Sequence, residues 1–177
     1  MIAKRSLMVS LGGIVFVSGA RAAWPDIPMV RHEAAMRLAI QQAGGNPRYP
    51  FGAVIVGATN GELLAGGVND SAKNPILHGE IACMNDYVQR RGNKDWASVV
   101  LYTTGEPCSM CMSALVWSGI GGVVYASSID AIRAAGIDQI GIRAQSVQDA
   151  SPFYNGTLLG GVLSAETDRM FRERKRD

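Results

Sequence analysis

Cysteine is scarce in this chain of 177 residues, with three in all, and histidine is scarcer, with two. Three cysteines are too few for a disulfide framework. Net charge is nearly missing as well: 17 basic against 15 acidic side chains leave +2, which argues against a broad phosphate-binding surface and for a small-molecule partner rather than nucleic acid. No apolar run reaches the roughly 20 residues that a membrane-spanning helix needs, and there are no internal repeats, low-complexity stretches or evident linkers. What is present is an ordinary globular composition, 47% hydrophobic and 18% charged, enough for one domain with a sizeable core.

The first residues read differently from the rest. Lys4 and Arg5 precede an apolar run from Leu7 to Val17, and Ala20-Arg21-Ala22 follows as a small-x-small cleavage pattern. This is the layout of a secretory signal peptide. It predicts a leader over 1–23, a mature domain over 24–177 and export to the periplasm. Lys4-Arg5-Ser6-Leu7-Met8 also resembles a weakened twin-arginine signal, the route taken by proteins that fold around a cofactor before export.

Beyond the leader, apolar residues at helical spacing predict a helix over 29–43, closed by Gly44-Gly45-Asn46-Pro47. The branched run 51–56, the Asn60-Gly61 turn and the segment 63–68 form a hairpin signal. A loop over 69–77 leads into a helix from His78 to about Arg90. A buried strand over 98–103, a helix from Pro107-Cys108 to Ser118 and a strand over 122–126 follow. A short helix is expected over 130–135 and a charged terminal helix over 165–176. Strands alternating with helices indicate a layered α/β domain.

The chemistry concentrates in His78-Gly79-Glu80 and, about one helix and one strand later, Pro107-Cys108-Ser109-Met110-Cys111. H-x-E followed by P-C-x-x-C is the pattern that zinc deaminases use. Two cysteines three apart at a helix start share one face, and the helix N-terminus favours their thiolates. Pro107 suits the first turn, where a backbone N–H has no intrahelical use. His78, Cys108 and Cys111 make three ligands for one Zn²⁺ per chain, leaving the fourth position for water. Glu80, two residues from the histidine, is the candidate acid and base. A Cys-x-x-Cys that follows a strand and opens a helix also suits a thioredoxin-like redox pair or a binding module. A closed structural zinc site needs a fourth ligand, and Cys83, five residues from His78, falls on a different helix face. Cys83 therefore reads as a small core hydrophobe and His32 as structural.

From Phe51 to about Asp138, roughly half of the chain, the sequence resembles the cytidine-deaminase-like superfamily, in particular its guanine, cytosine and tRNA-adenosine deaminases. The runs Pro50-Phe51-Gly52-Ala53-Val54-Ile55-Val56, His78-Gly79-Glu80 and 101–111 carry the likeness. The resemblance implies a three-layer α/β/α sandwich around a five-stranded mixed sheet, with the second and third helices delivering the zinc ligands, and a homodimer. It further implies that Asn69 binds the substrate base or its sugar and that Phe51, Ala53 and Trp117 line the base pocket. Ala135-Gly136-Ile137-Asp138 resembles the Ala-Gly-Phe-Asp of bacterial guanine deaminases, in which the aspartate accepts from the purine edge, and Ser151-Pro152-Phe153-Tyr154 extends the likeness. Two departures stand out. Gly79 replaces the usual alanine, and the chain ends Arg174-Lys175-Arg176-Asp177, where such guanine deaminases have a terminal tyrosine and an upstream glutamate. The expected activity is hydrolytic deamination of a free nucleobase, guanine foremost, with cytosine, a nucleoside or tRNA adenosine as alternatives.

Overall fold

The computed structural model describes residues 26–176; the leader expected over 1–23 lies outside the described residues. Helix α1 (Met29–Ala43) precedes a hairpin of β1 (Gly52–Gly57) and β2 (Leu63–Val68). Helix α2 (Gly79–Arg91), strand β3 (Val99–Gly105), helix α3 (Ser109–Ser118) and strand β4 (Gly122–Ser127) follow. The chain then forms α4 (Ile129–Ala134), α5 (Ala144–Asp149), β5 (Thr157–Gly160) and α6 (Ser164–Arg172).

The strands form one sheet in the order β2-β1-β3-β4-β5. Strand β1 runs antiparallel to both β2 and β3, whereas β3, β4 and β5 are mutually parallel. This is the mixed five-stranded sheet that the resemblance implied. Because successive strand residues point to opposite faces, Ala53 and Ile55 join one core cluster while Val54 and Val56 join another. The first cluster buries Cys83 of α2, Met112 and Leu115 of α3 and Ala144 of α5. The second buries Ala35, Met36 and Ala39 of α1. Helices thus cover both faces, and β3 and β4 read as near-continuous apolar runs because both of their sides are dry. Among the described residues no helix is long and apolar enough to cross a membrane.

Helix α5 was not expected, β5 is the fifth strand that the resemblance implied without the sequence pattern placing it, and α6 is shorter than the 165–176 helix that was expected. It ends at Arg172 because Arg174 turns back: its guanidinium donates to Ala135 O at 2.5 Å and to Gly136 O at 3.1 Å, while Lys175 N–H donates to Pro47 O. These bonds replace a further helical turn and tie the C-terminal segment to the end of α4. A third cluster, Ile132, Ala135, Ile137 and Phe171 with Phe51 and Met170 against it, fills the space between α4, α6 and the start of β1.

Candidate metal and catalytic site

Helices α2 and α3 begin beside one another, each at a metal-ligand candidate. His78 is the residue before α2 and Cys108 the residue before α3, both with extended backbone, and Cys111 lies in the first turn of α3. His78 was expected inside α2 and Cys108 inside α3. Their place as helix-preceding residues lets each side chain swing towards the other helix. Neither caps its helix with a side-chain hydrogen bond, which leaves both side chains to face one another. The approach of α2 depends on small residues: a Cβ on Gly67 would overlap the backbone at Cys83 and Gly79, and a Cβ on Gly79 would overlap Phe51 O. The alanine usual at position 79 would push the histidine segment away from β1.

His78 Nδ1 lies 3.6 Å from Cys108 Sγ and 3.7 Å from Cys111 Sγ, and the three ligand atoms all fall within 4.8 Å of one another. Ligands at ~2.3 Å (Zn–S) and ~2.0 Å (Zn–N) around a tetrahedral ion stand about 3.6 Å apart. The donor set and its spacing therefore fit zinc, bound through Nδ1 of the histidine. Among the described residues no fourth side chain joins this group, as a catalytic site with one open position requires.

The protonation pattern of the three ligands shows the same crowding. A hydrogen bond with Cys108 raises the His78 imidazole above its ordinary value against the opposing effect of burial. Bonds from Cys111 and His78 hold the Cys108 thiol far below the usual thiol range, whereas the bond to Cys108 and burial push Cys111 up. The Cys108 thiolate is thus the acceptor that the other two side chains share, and a thiolate is the form in which cysteine binds a metal. Cys83, by contrast, is driven up chiefly by burial and is an inert core thiol, as expected.

Glu80 is 3% exposed, and Thr103 Oγ1 donates to its Oε1 at 3.4 Å. Burial raises its carboxyl above the ordinary range, so the side chain can hold a proton as well as accept one. It opens onto a cavity of about 180 Å³, smaller than the roughly 300–1,000 Å³ of sites for drug-sized ligands. A single small ring system suits it.

Of the residues assigned to substrate by resemblance, Asn69, Phe51 and Asp138 line this cavity. Asn69 is buried at the end of β2; its Nδ2 donates to Ser71 Oγ and its carbonyl accepts from Asn46. Phe51 stacks on Phe171 with ring centroids 4.9 Å apart. Ala53 and Trp117 do not line it. Ala53 is two residues further along β1 and fully buried in the core beneath α2. Trp117 is 78% exposed: it lies nine residues past Cys108, ~13 Å along the axis, and about 240° round the helix from Cys111. It stacks instead on Phe153. The wall also contains Tyr49, Ser71, Glu106, Ile137 and Gln139, none of which was singled out. Glu106 stands inside the motif run and Ile137 beside Asp138, but Tyr49, Ser71 and Gln139 carry no sequence signal.

Comparison with known proteins gives a coherent picture. The family model for the cytidine and deoxycytidylate deaminase zinc-binding region matches residues 29–127. Guanine deaminase of Bacillus subtilis is 30% identical over 147 residues, covering 80% of this chain and 93% of that protein. A tRNA-specific adenosine deaminase of the same species is 29% identical over 153 residues, covering 82% of this chain and 91% of its own length. Among solved structures, guanine deaminase from Nitrosomonas europaea superposes with a TM-score of 0.71 at 26% identity, covering 80% of this chain and 82% of that one.

Proposed function

Because the chain belongs to the cytidine and deoxycytidylate deaminase zinc-binding family, we propose that it is a zinc-dependent hydrolytic deaminase that removes the amine of free guanine as ammonia. The observation that carries this reading is the convergence of His78 Nδ1, Cys108 Sγ and Cys111 Sγ beside one small cavity that His78, Cys108, the buried Glu80 and Asp138 all line. Similarity to guanine deaminases in both sequence and structure supports the choice of base.

Zinc, when bound by the three ligands, supplies a Lewis acid that makes water nucleophilic near neutral pH. The rest of the work falls to side chains. Glu80 accepts one proton from the attacking water and delivers it to the ring nitrogen; as the new C–OH becomes a carbonyl, Glu80 takes that second proton and passes it to the departing amine, so that the substituted carbon gains oxygen and loses ammonia. Its burial keeps bulk water from competing for those protons. Phe51 offers a flat face for the ring, Asn69 an amide with both donor and acceptor, and Asp138 an acceptor for the N–H groups of guanine. The even spacing of His78 Nδ1 to both sulfurs favours metal binding over a redox role for the cysteines.

The same reading includes a homodimer. Trp117 and Phe153, 78% and 58% exposed, form an apolar pair at the outer end of α3, and exposed aromatic pairs of this kind suit protein contacts.

The test is ammonia release from guanine, cytosine, adenine, guanosine and cytidine by zinc-loaded protein, with Glu80→Ala as control. Guanine is expected to be turned over preferentially. The variant keeps one zinc per chain and loses at least about a hundredfold in rate, the usual scale for an acid/base group. Near-normal turnover by the variant would remove Glu80 from its role, and preference for another base would replace guanine.

A further inference from the structure

Glu106 is 3% exposed, and its two oxygens are engaged by two separate parts of the chain. Oε2 accepts the Ile129 N–H at 3.0 Å and Oε1 accepts the Ala144 N–H at 2.9 Å. Those amides open α4 and α5, and the residues between them, 130–143, make one excursion whose middle brings Ile137, Asp138 and Gln139 to the pocket wall. One carboxylate therefore closes the base of the element that faces the substrate. A buried carboxylate is tolerated only where its oxygens are matched by donors, and here the donors are the two ends of that excursion.

The other side of Glu106 belongs to the metal segment. It stands two residues before Cys108, and its own N–H donates to Ser127 O at 2.7 Å, tying the exit of β3 to the exit of β4. Arg143 reinforces the clasp: its Nη1 lies 3.2 Å from Glu106 Oε2 and 3.2 Å from Asp130 Oδ2, bridging the two ends across the opening. Arg174 holds the far shoulder of the same excursion through Ala135 O and Gly136 O.

We infer that Glu106 is a positioning residue for substrate: it locks the 130–143 excursion to the segment bearing Cys108, so that Asp138 and Gln139 stand at a set distance from the metal cluster. Deamination itself uses no proton of Glu106 in this scheme. The inference rests on the pocket assigned above, but its structural half holds whichever base is accepted.

Glu106→Gln keeps the side chain's shape and replaces one acceptor by a donor, which opposes the N–H at one end of the excursion and removes the charge that faces Arg143. The zinc-loaded variant is expected to retain one metal per chain, to raise KM for guanine about tenfold, the scale of one charge-assisted hydrogen bond, and to keep kcat within about threefold. Hydrogen exchange should quicken at the amides of 130–143 while those of β3 and α3 hold. Arg143→Ala, at a half-exposed position that the fold tolerates, should shift KM and exchange in the same direction by less. Unchanged KM with unchanged exchange in 130–143 overturns the proposal, as does metal loss with normal exchange there, which would make Glu106 a support of the zinc site alone. Local quickening of exchange in a protein that deaminates a base other than guanine upholds the clasp and overturns only the choice of substrate.

Discussion

The chain has two histidines, and each faces a different problem at residue scale. His78 gains proton affinity from a neighbouring sulfur, whereas His32, 8% exposed on the inner face of α1, shares a 2.9 Å hydrogen bond between its Nδ1 and Tyr102 OH. Burial, with the nearby charge of Arg31, holds His32 below the ordinary imidazole value of 6.5. The unfolded chain therefore takes up this proton first as pH falls, and the folded state loses stability in the window from about 6.5 down to the lowered folded value. We expect melting temperature to drop across that window and the drop to be shallower in His32→Gln, which can still accept from Tyr102; parallel curves for the two proteins would exclude His32 as the cause. The candidate metal ligands and Glu80 stood out in the sequence because their residue types at that spacing have few other uses. Asn69, Phe51 and Asp138 were proposed for the pocket only through family likeness and all three line the cavity, whereas Trp117, proposed on the same likeness, does not, because a residue's distance along a motif says nothing of the helix face on which it ends.

At the scale of elements, the contact of α2 with β2 decides where His78 and Glu80 stand. Gly67 lets the helix backbone touch the strand, and Asp86 on α2 accepts the Gly66 N–H at 3.0 Å while pairing with Arg90 at 2.8 Å. Gly67→Ala inserts a methyl group where the helix backbone lies, so α2 must shift. Overpacking of this kind costs about 1–3 kcal/mol, and we expect urea unfolding to show that loss together with reduced turnover at unchanged zinc content. A variant as stable and active as the parent would mean that the strand, not the helix, gives way. The hairpin, α1, α3 and the central strands were legible from periodicity and glycine punctuation. Strand β5 was not: Thr157-Leu158-Leu159-Gly160 is short, sits between Gly156 and Gly161, and becomes a strand only by pairing with β4. Helix α5 hides for a related reason, since Ala144 is its one fully buried side chain.

For the whole molecule, the exposed Trp117–Phe153 pair, with ring centroids 5.2 Å apart, predicts that two copies associate through the α3 side. Light scattering should give twice the mass of one chain, which is 18.8 kDa for all 177 residues, and Trp117→Glu should return it to a single chain, since a charge buried in an apolar contact is strongly disfavoured; a monomeric parent protein would end this reading. The sequence by itself determined the candidate donor set, the proposed acid/base residue and the layered α/β class, because metal chemistry restricts which side chains can serve and because burial imposes a period on apolar residues. Only the tertiary structure decided how closely the three candidate ligands converge, that Ala53 and Trp117 stand outside the pocket, that Glu106 joins both ends of the 130–143 excursion, and that the C-terminal segment bends back onto α4. Those outcomes depend on contacts between segments far apart in the chain, and their geometry is set by how helices and sheet pack rather than by any local run of residues.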